Sequence, residues 1–171
     1  MRITKNTSKK DVLKLGDYQC KGCIHCCEDG SGFLVEDDAR ILSRFLGISE
    51  EDLKKKHLEE VEKFNTKLFR PKLLREKGRP HGRCTFLTKK GCSVHPARPT
   101  LCRIGNCSEN GEDLQLWFTL NYFLNEKDPE SIREFYSYLK AGGKTLPGGS
   151  LEEIVPDKEK LKKILNYEIL R

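Results

Sequence analysis

Cys20-Lys21-Gly22-Cys23-Ile24-His25-Cys26-Cys27 is the stretch on which the reading of this chain turns. Its four thiols follow a C-x2-C-x2-C-C pattern. Two-residue spacings let a loop turn so that successive sulfurs converge about 2.3 Å from one ion, or each on a separate iron of a cluster. Lys21, Gly22, His25, Glu28, Asp29 and Gly30 surround them, a polar, glycine-containing setting that does not suit buried cysteines acting as small hydrophobes. A second set, Cys84, Cys92, Cys102 and Cys107, follows after 56 intervening residues and completes the eight cysteines of the chain. All eight are candidate metal ligands.

Two metals compete for them. Eight ligands would make two tetrahedral four-sulfur zinc sites. Against giving each half of the chain its own ion, Cys26 and Cys27 are adjacent, and neighbouring side chains rarely point at one ion without bending the backbone. Iron–sulfur chemistry suits the C-x2-C-x2-C run, which opens the bacterial ferredoxin signature. That signature then fails, because its fourth cysteine and its proline would fall at Gly30 and Ser31. Radical chemistry with S-adenosylmethionine normally uses C-x3-C-x2-C on a barrel longer than this chain. The reading taken is one site between the N-terminal loop and segment 84–107, holding an iron–sulfur cluster of the four-iron, four-sulfide kind, with Zn2+ as the alternative.

The 171 residues give room for one domain of ordinary size. Hydrophobic residues make up 36% and charged residues 34%, which is lean for a packed core, so a metal would help hold it. Residues 1–10 carry no apolar leader, and no uncharged run reaches eighteen apolar residues. The expectation is a cytoplasmic protein without a membrane span, in a reducing compartment where clustered thiols serve metals or redox chemistry.

The net charge of +6 counts every cysteine as neutral. Eight thiolates subtract eight and two zinc ions restore four, leaving about +2. Residues 72–90 nevertheless hold Lys72, Arg75, Lys77, Arg79, Arg83, Lys89 and Lys90 against Glu76 alone. Such a patch suits nucleic acid, or compensates nearby thiolates. No aromatic run interleaves with it for base stacking, so nucleic acid is not favoured and a protein partner is expected.

The order along the chain is modular. Residues 1–16 read as a flexible basic segment, 17–141 as the cysteine-cluster metal-binding domain, and 142–171 as a linker and C-terminal helix. Phe33-Leu34-Val35 suits a short strand; a helix follows from Asp37-Asp38 to Gly47. Ser49 caps a second helix with Leu53, His57, Val61 and Phe64 as its stripe, and His57 reads as an edge residue. Residues 65–83 look irregular. Thr85–Leu87 and Cys92–Val94 flank Thr88-Lys89-Lys90-Gly91 as a hairpin. Leu114 to Leu124 is a buried helix or strand, and Asp128-Pro129 opens a helix ended by Gly142-Gly143. Residues 157–170 show helical spacing. The fold class is α+β, a small irregular metal-nucleated domain with a short hairpin, surrounded by helices.

Taken with Gly82-Arg83-Cys84-Thr85-Phe86-Leu87, with Gly91-Cys92-Ser93-Val94-His95-Pro96-Ala97-Arg98-Pro99 and with Cys102-Arg103, the opening motif resembles the YkgJ-type cysteine cluster family, also called the zinc- or iron-chelating CxxCxxCC domain. The likeness runs over about residues 18–107. It implies a metal-chelating domain; related domains occur in flagellin lysine N-methylases, where an iron–sulfur centre is implied. The matched ligand positions are Cys20, Cys23, Cys26, Cys27, Cys84, Cys92 and Cys102, with Cys107 at the edge. The chain departs from the pattern at His95, where an aromatic residue is common, and at Gly105-Asn106-Cys107, where a Phe-Pro pair often follows the arginine.

Pro99 pushes Arg98 to an extended form, so the chain can re-enter a turn that presents Cys102 inward. Arg98 and Arg103 could donate to sulfurs or to carboxylates. Three functions remain open: an iron–sulfur or zinc accessory or redox module, a component of a protein-modifying enzyme such as a lysine N-methylase, and a zinc-stabilised nucleic-acid binder. No glycine-rich strand-to-helix fingerprint supports an S-adenosylmethionine site.

Overall fold

A computed structural model describes residues 2–19, 24–105 and 107–171, with the backbone alone for 17–19. Cys20 and Cys23 lie outside the described residues. The α+β class holds, with helices and short two-stranded sheets. The chain divides into two units, 13–61 with 68–111, and 1–12 with 62–67 and 112–171.

The first of these carries the cysteines. Helix α1 (Lys9–Gln19) runs into it from residues read as a flexible lead. After α2 (His25–Glu28), Leu34 makes a single bridge to Phe69, its N–H donating to the Phe69 carbonyl at 2.8 Å. Helix α3 (Asp38–Leu46) ends at Gly47, as the sequence leads one to expect. Ser49 caps α4 (Glu50–His57) by accepting the Asp52 N–H at 3.0 Å.

The second helix was expected to run on to Phe64, and it does not. It stops at His57, and residues 58–71 form a hairpin of β1 (Leu58–Lys63) and β2 (Thr66–Pro71), where the sequence suggested helix and then irregular chain. The cause is the turn. Phe64 and Asn65 both take positive φ, 51° and 53°, the pair of left-handed residues whose twist matches that of flanking strands. Leu58, Val61 and Phe64 also recur at helical spacing, so periodicity alone misleads. Along the hairpin Arg70 meets Glu59 at 2.8 Å.

Next, β3 (Leu73–Leu74) pairs with β4 (Arg83–Cys84), Leu73 opposite Cys84. The expected cysteine hairpin follows as β5 (Leu87–Thr88) and β6 (Gly91–Cys92), Leu87 opposite Cys92. Gly91 stands at φ 101°, a conformation that side chains resist, and this closes the turn. A 3-10 turn (His95–Ala97) then leads to α5 (Thr100–Ile104). Leu34, Leu42, Leu53, Leu58, Cys84, Phe86, Leu87, Val94 and Ala97 form the core here, with Cys27 and Cys92 packed against it.

In the other unit, Ile3 and Val12 are 1% and 0% exposed, so the N-terminal residues contribute to its core. The dense apolar run 114–124 is helical: α6 (Gly111–Phe118) continues as a π-helical turn (Thr119–Phe123). Asp128 caps α7 (Pro129–Lys140), its carboxylate accepting the Glu130 N–H. Before the C-terminal helix comes a short further one, α8 (Leu151–Ile154), started by a capping box of Ser150 and Glu153. Helix α9 (Lys158–Leu165) packs on α7, and Arg133 on α7 donates to the carbonyls of Ile164 and Ile169 at 3.1 and 2.9 Å. Among the described residues no helix is long and apolar enough to cross a membrane.

Candidate metal centre

Five of the predicted ligands are drawn into one neighbourhood by three local devices. Cys26 and Cys27 lie on α2, which packs on β4 and hence on Cys84. Cys84 sits on β4, paired with β3, Cys92 sits on β6, paired with β5, and α5 carries Cys102. The thiols are close enough to influence one another's charge: Cys27 feels Cys26, Cys102 and Cys84, Cys92 feels Cys26, and Cys102 feels Cys84, Cys26 and Cys92. Cys107 is exposed, in the chain beyond α5.

Backbone N–H groups point at the sulfurs. Phe86 and Leu87 donate to Cys84, two and three residues upstream, and Val94 donates to Cys92. Gly32 donates to Cys102 and approaches so closely that a Cβ there would stand 2.5 Å from the sulfur. Such donors satisfy the lone pairs of a thiolate and lower its energy, which is what a metal ligand needs and what a neutral buried thiol does not. The tight turns after Cys84 and Cys92 aim these groups; they are features of backbone path, which the spacing of the cysteines does not report.

Burial works against the donors. It pushes the Cys84 and Cys92 thiols up and Cys102 up to about 12. Arg98 pulls Cys92 back down, so one of the two arginines anticipated as thiolate partners acts on a sulfur; its Nη1 also donates to the His95 carbonyl at 3.1 Å. Cys26 and Cys27 split. The hydrogen bond between their side chains holds Cys26, though partly desolvated, down at about 6, with its own backbone and His25 assisting, and pushes Cys27 strongly up; Cys26 is otherwise exposed. The adjacent thiols therefore approach each other closely enough to share a hydrogen bond.

Among the described residues no three His, Cys, Asp or Glu side chains already stand in a geometry that would hold a metal ion. The donor chemistry fits a thiophilic metal all the same: several thiols, backbone N–H groups aimed at them, and a nearby guanidinium. Of the histidines near the motif, His25 is exposed beside Glu28 at 3.4 Å, and His81 and His95 are exposed. His57 stacks on Phe86 with ring centroids 5.6 Å apart, the packing role expected of it.

The basic stretch is partly engaged within the chain. Lys72 Nζ donates to the Lys55 carbonyl at 2.8 Å, Arg75 binds Glu59 at 2.6 Å, and Arg79 meets Glu76 at 3.4 Å. Lys77, Arg83, Lys89 and Lys90 face solvent.

The match with known families agrees with this set of donors. The chain belongs to the CxxCxxCC family, described as "Putative zinc- or iron-chelating domain", which matches residues 19–129. Neither curated proteins nor solved structures gave a match.

Proposed function

We propose that this protein holds an iron–sulfur cluster on thiolates drawn from Cys20, Cys23, Cys26, Cys27, Cys84, Cys92 and Cys102, with Cys107 as a further ligand, and serves a protein partner as an accessory or redox module. The observation that carries the reading is the gathering of Cys26, Cys27, Cys84, Cys92 and Cys102, enough thiols to supply the four thiolates a cluster takes. The cluster, when bound, would supply one-electron chemistry. The chain's own part is to desolvate the sulfurs, aim N–H groups at them and set Arg98 beside Cys92.

Zinc is the second reading, favoured by the paired N–H donors behind Cys84, a turn equally suited to a single four-sulfur ion. Anaerobic purification with visible absorption and metal analysis decides between them. Brown protein with iron and acid-labile sulfide is expected; colourless protein with about two zinc ions per chain overturns the iron–sulfur reading.

A further inference from the structure

We propose that Asp38 is a positioning residue for Cys102: from α3 its carboxylate clamps the first residue of α5 and so sets where the Cys102 sulfur stands. Helix α5 needs outside help to start. Pro99 precedes it with no side-chain cap, leaving the N–H groups of the first turn without an internal acceptor. Asp38, 62 residues away in sequence, supplies one. Its Oδ2 accepts the Thr100 N–H at 2.8 Å and its Oδ1 accepts the Thr100 hydroxyl at 2.9 Å. The same Oδ2 accepts the Val35 N–H at 2.9 Å, which ties the carboxylate to the start of its own helix. Thr100 is 2% exposed, so water cannot replace these bonds cheaply.

Two contacts from one carboxylate to one residue fix both the position and the rotation of the helix end. Cys102 lies two residues further on, with no flexible chain between. The Gly32 backbone bears on the sulfur and on the Cys102 amide nitrogen, where a Cβ would come within 2.5 and 2.6 Å. The sulfur therefore has little room to shift once the helix start is fixed. Loosening the clamp lets α5 rotate and takes Cys102 out of line with the other thiols, while Cys84, held by its own turn, stays.

The clamp itself is read from geometry alone; only its effect on metal rests on the function proposed above. The test uses the full-length reduced chain as Asp38→Ala, Asp38→Asn and Thr100→Val, with Leu42→Val, a buried change on the same helix, as the control for general loosening. In the metal-free proteins, alkylation by iodoacetamide is followed cysteine by cysteine. Asp38→Ala is expected to speed Cys102 at least about tenfold relative to Cys84, Asp38→Asn and Thr100→Val less, and Leu42→Val to move both cysteines together. In the metal-loaded proteins, Asp38→Ala should release metal to a chelator about 10- to 100-fold faster, and should add nothing in a Cys102→Ser background. Equal acceleration of Cys84 and Cys102, or a full Asp38 effect without Cys102, overturns the proposal. A wild-type chain that takes up neither iron nor zinc would overturn the function proposed above, and the alkylation pattern would still judge Asp38.

Discussion

The cysteine-bearing unit and the unit made of residues 1–12, 62–67 and 112–171 bury different kinds of side chain. The second is packed by large apolar groups: Phe118, Phe135, Leu114, Ile132 and Ile164 are almost wholly buried, and Phe64, Phe135 and Tyr138 meet ring to ring. Polar atoms within it find partners, as where the Trp117 Nε1–H donates to the Thr7 carbonyl at 2.9 Å. In the first unit, Cys27, Cys84 and Cys92 share the core with Leu34, Leu42, Leu53 and Val94. Thiols in a core are modest hydrophobes, and here burial also raises their cost of ionisation. One unit is packed by large apolar side chains throughout; in the other, thiols take part of that place.

Removing metal is the strongest way to break that comparison. Structural zinc contributes roughly 10–16 kcal/mol in small peptides, so stripping metal from the full chain should be felt first where N–H groups face sulfur. Amide exchange at Leu87 and Val94 is expected to speed by about 1,000-fold or more, against less than about threefold at Phe135 on α7. Equal loss in both units would mean that they unfold together. In the metal-free chain the same cysteines should alkylate in the order of their thiolate content: Cys26, held at about 6, is largely ionised at pH 7 and should react fastest, ahead of Cys84, Cys92 and Cys102.

The converse change is Phe135→Ala, which empties a site 1% exposed. It should cost about 3–5 kcal/mol in urea unfolding and leave the metal bound per folded chain unchanged. Cys84→Ser is the opposite case, expected to lower metal content first. If Phe135→Ala lowered metal content in the folded fraction as much, the division of labour between the units would be wrong.

What the sequence tells, and where it stops, follows the same line. The helix ending at Gly47, the caps at Ser49 and Asp128, and the turn closed by Gly91 were legible because each is written within a few neighbouring residues. The hairpin at residues 58–71 was not, since its turn uses Phe64 in a left-handed conformation that phenylalanine rarely signals. The candidate ligands were legible as residue types. Their gathering was not, because it depends on α2 resting on β4, on Gly32 bearing on Cys102, and on Asp38 reaching Thr100 across 62 residues. Spacing names the donors, whereas the backbone paths between them decide which meet. Cys20 and Cys23 lie outside the described residues.

A smaller effect separates charge from metal within the cysteine-bearing unit. Glu59 accepts from Arg70 Nε at 2.8 Å and from Arg75 Nη1 and Nη2 at 2.8 and 2.6 Å. The Arg75 bonds chiefly, with Arg70 assisting against burial, hold its carboxyl at about 2, below an ordinary value of 4.5. A folded value below the unfolded one adds stability above about pH 4.5, and that stability is lost as pH falls through 2. Glu59→Gln is therefore expected to cost about 2 kcal/mol at pH 7 in the metal-free chain, the gap from wild type closing between pH 4.5 and 2 in urea titrations. A gap that persists at pH 2 would assign the loss to packing.

The finest comparison sets two helix starts against each other, one in each unit. Ser49 caps α4 by accepting the Asp52 N–H at 3.0 Å, and its hydroxyl meets the Asp52 carboxylate at 3.2 Å. Ser150 caps α8 less tightly, accepting the Glu153 N–H at 3.3 Å, but Glu153 Oε2 in return accepts the N–H groups of Ser150 and Gly148, both at 3.1 Å. The serine hydroxyl is thus the main cap in α4 and one of several in α8. Ser49→Ala should cost about 1 kcal/mol and Ser150→Ala about half that, since Glu153 keeps its backbone donors after the hydroxyl is gone. The losses should also appear in different places: Ser49→Ala in amide exchange across α3 and α4, Ser150→Ala in α8 and α9. If Ser150→Ala loosened α3 as much as Ser49→Ala does, the two units would share one cooperative unfolding event, and the contrast between a packed unit and a metal-dependent one would describe composition without describing energetics.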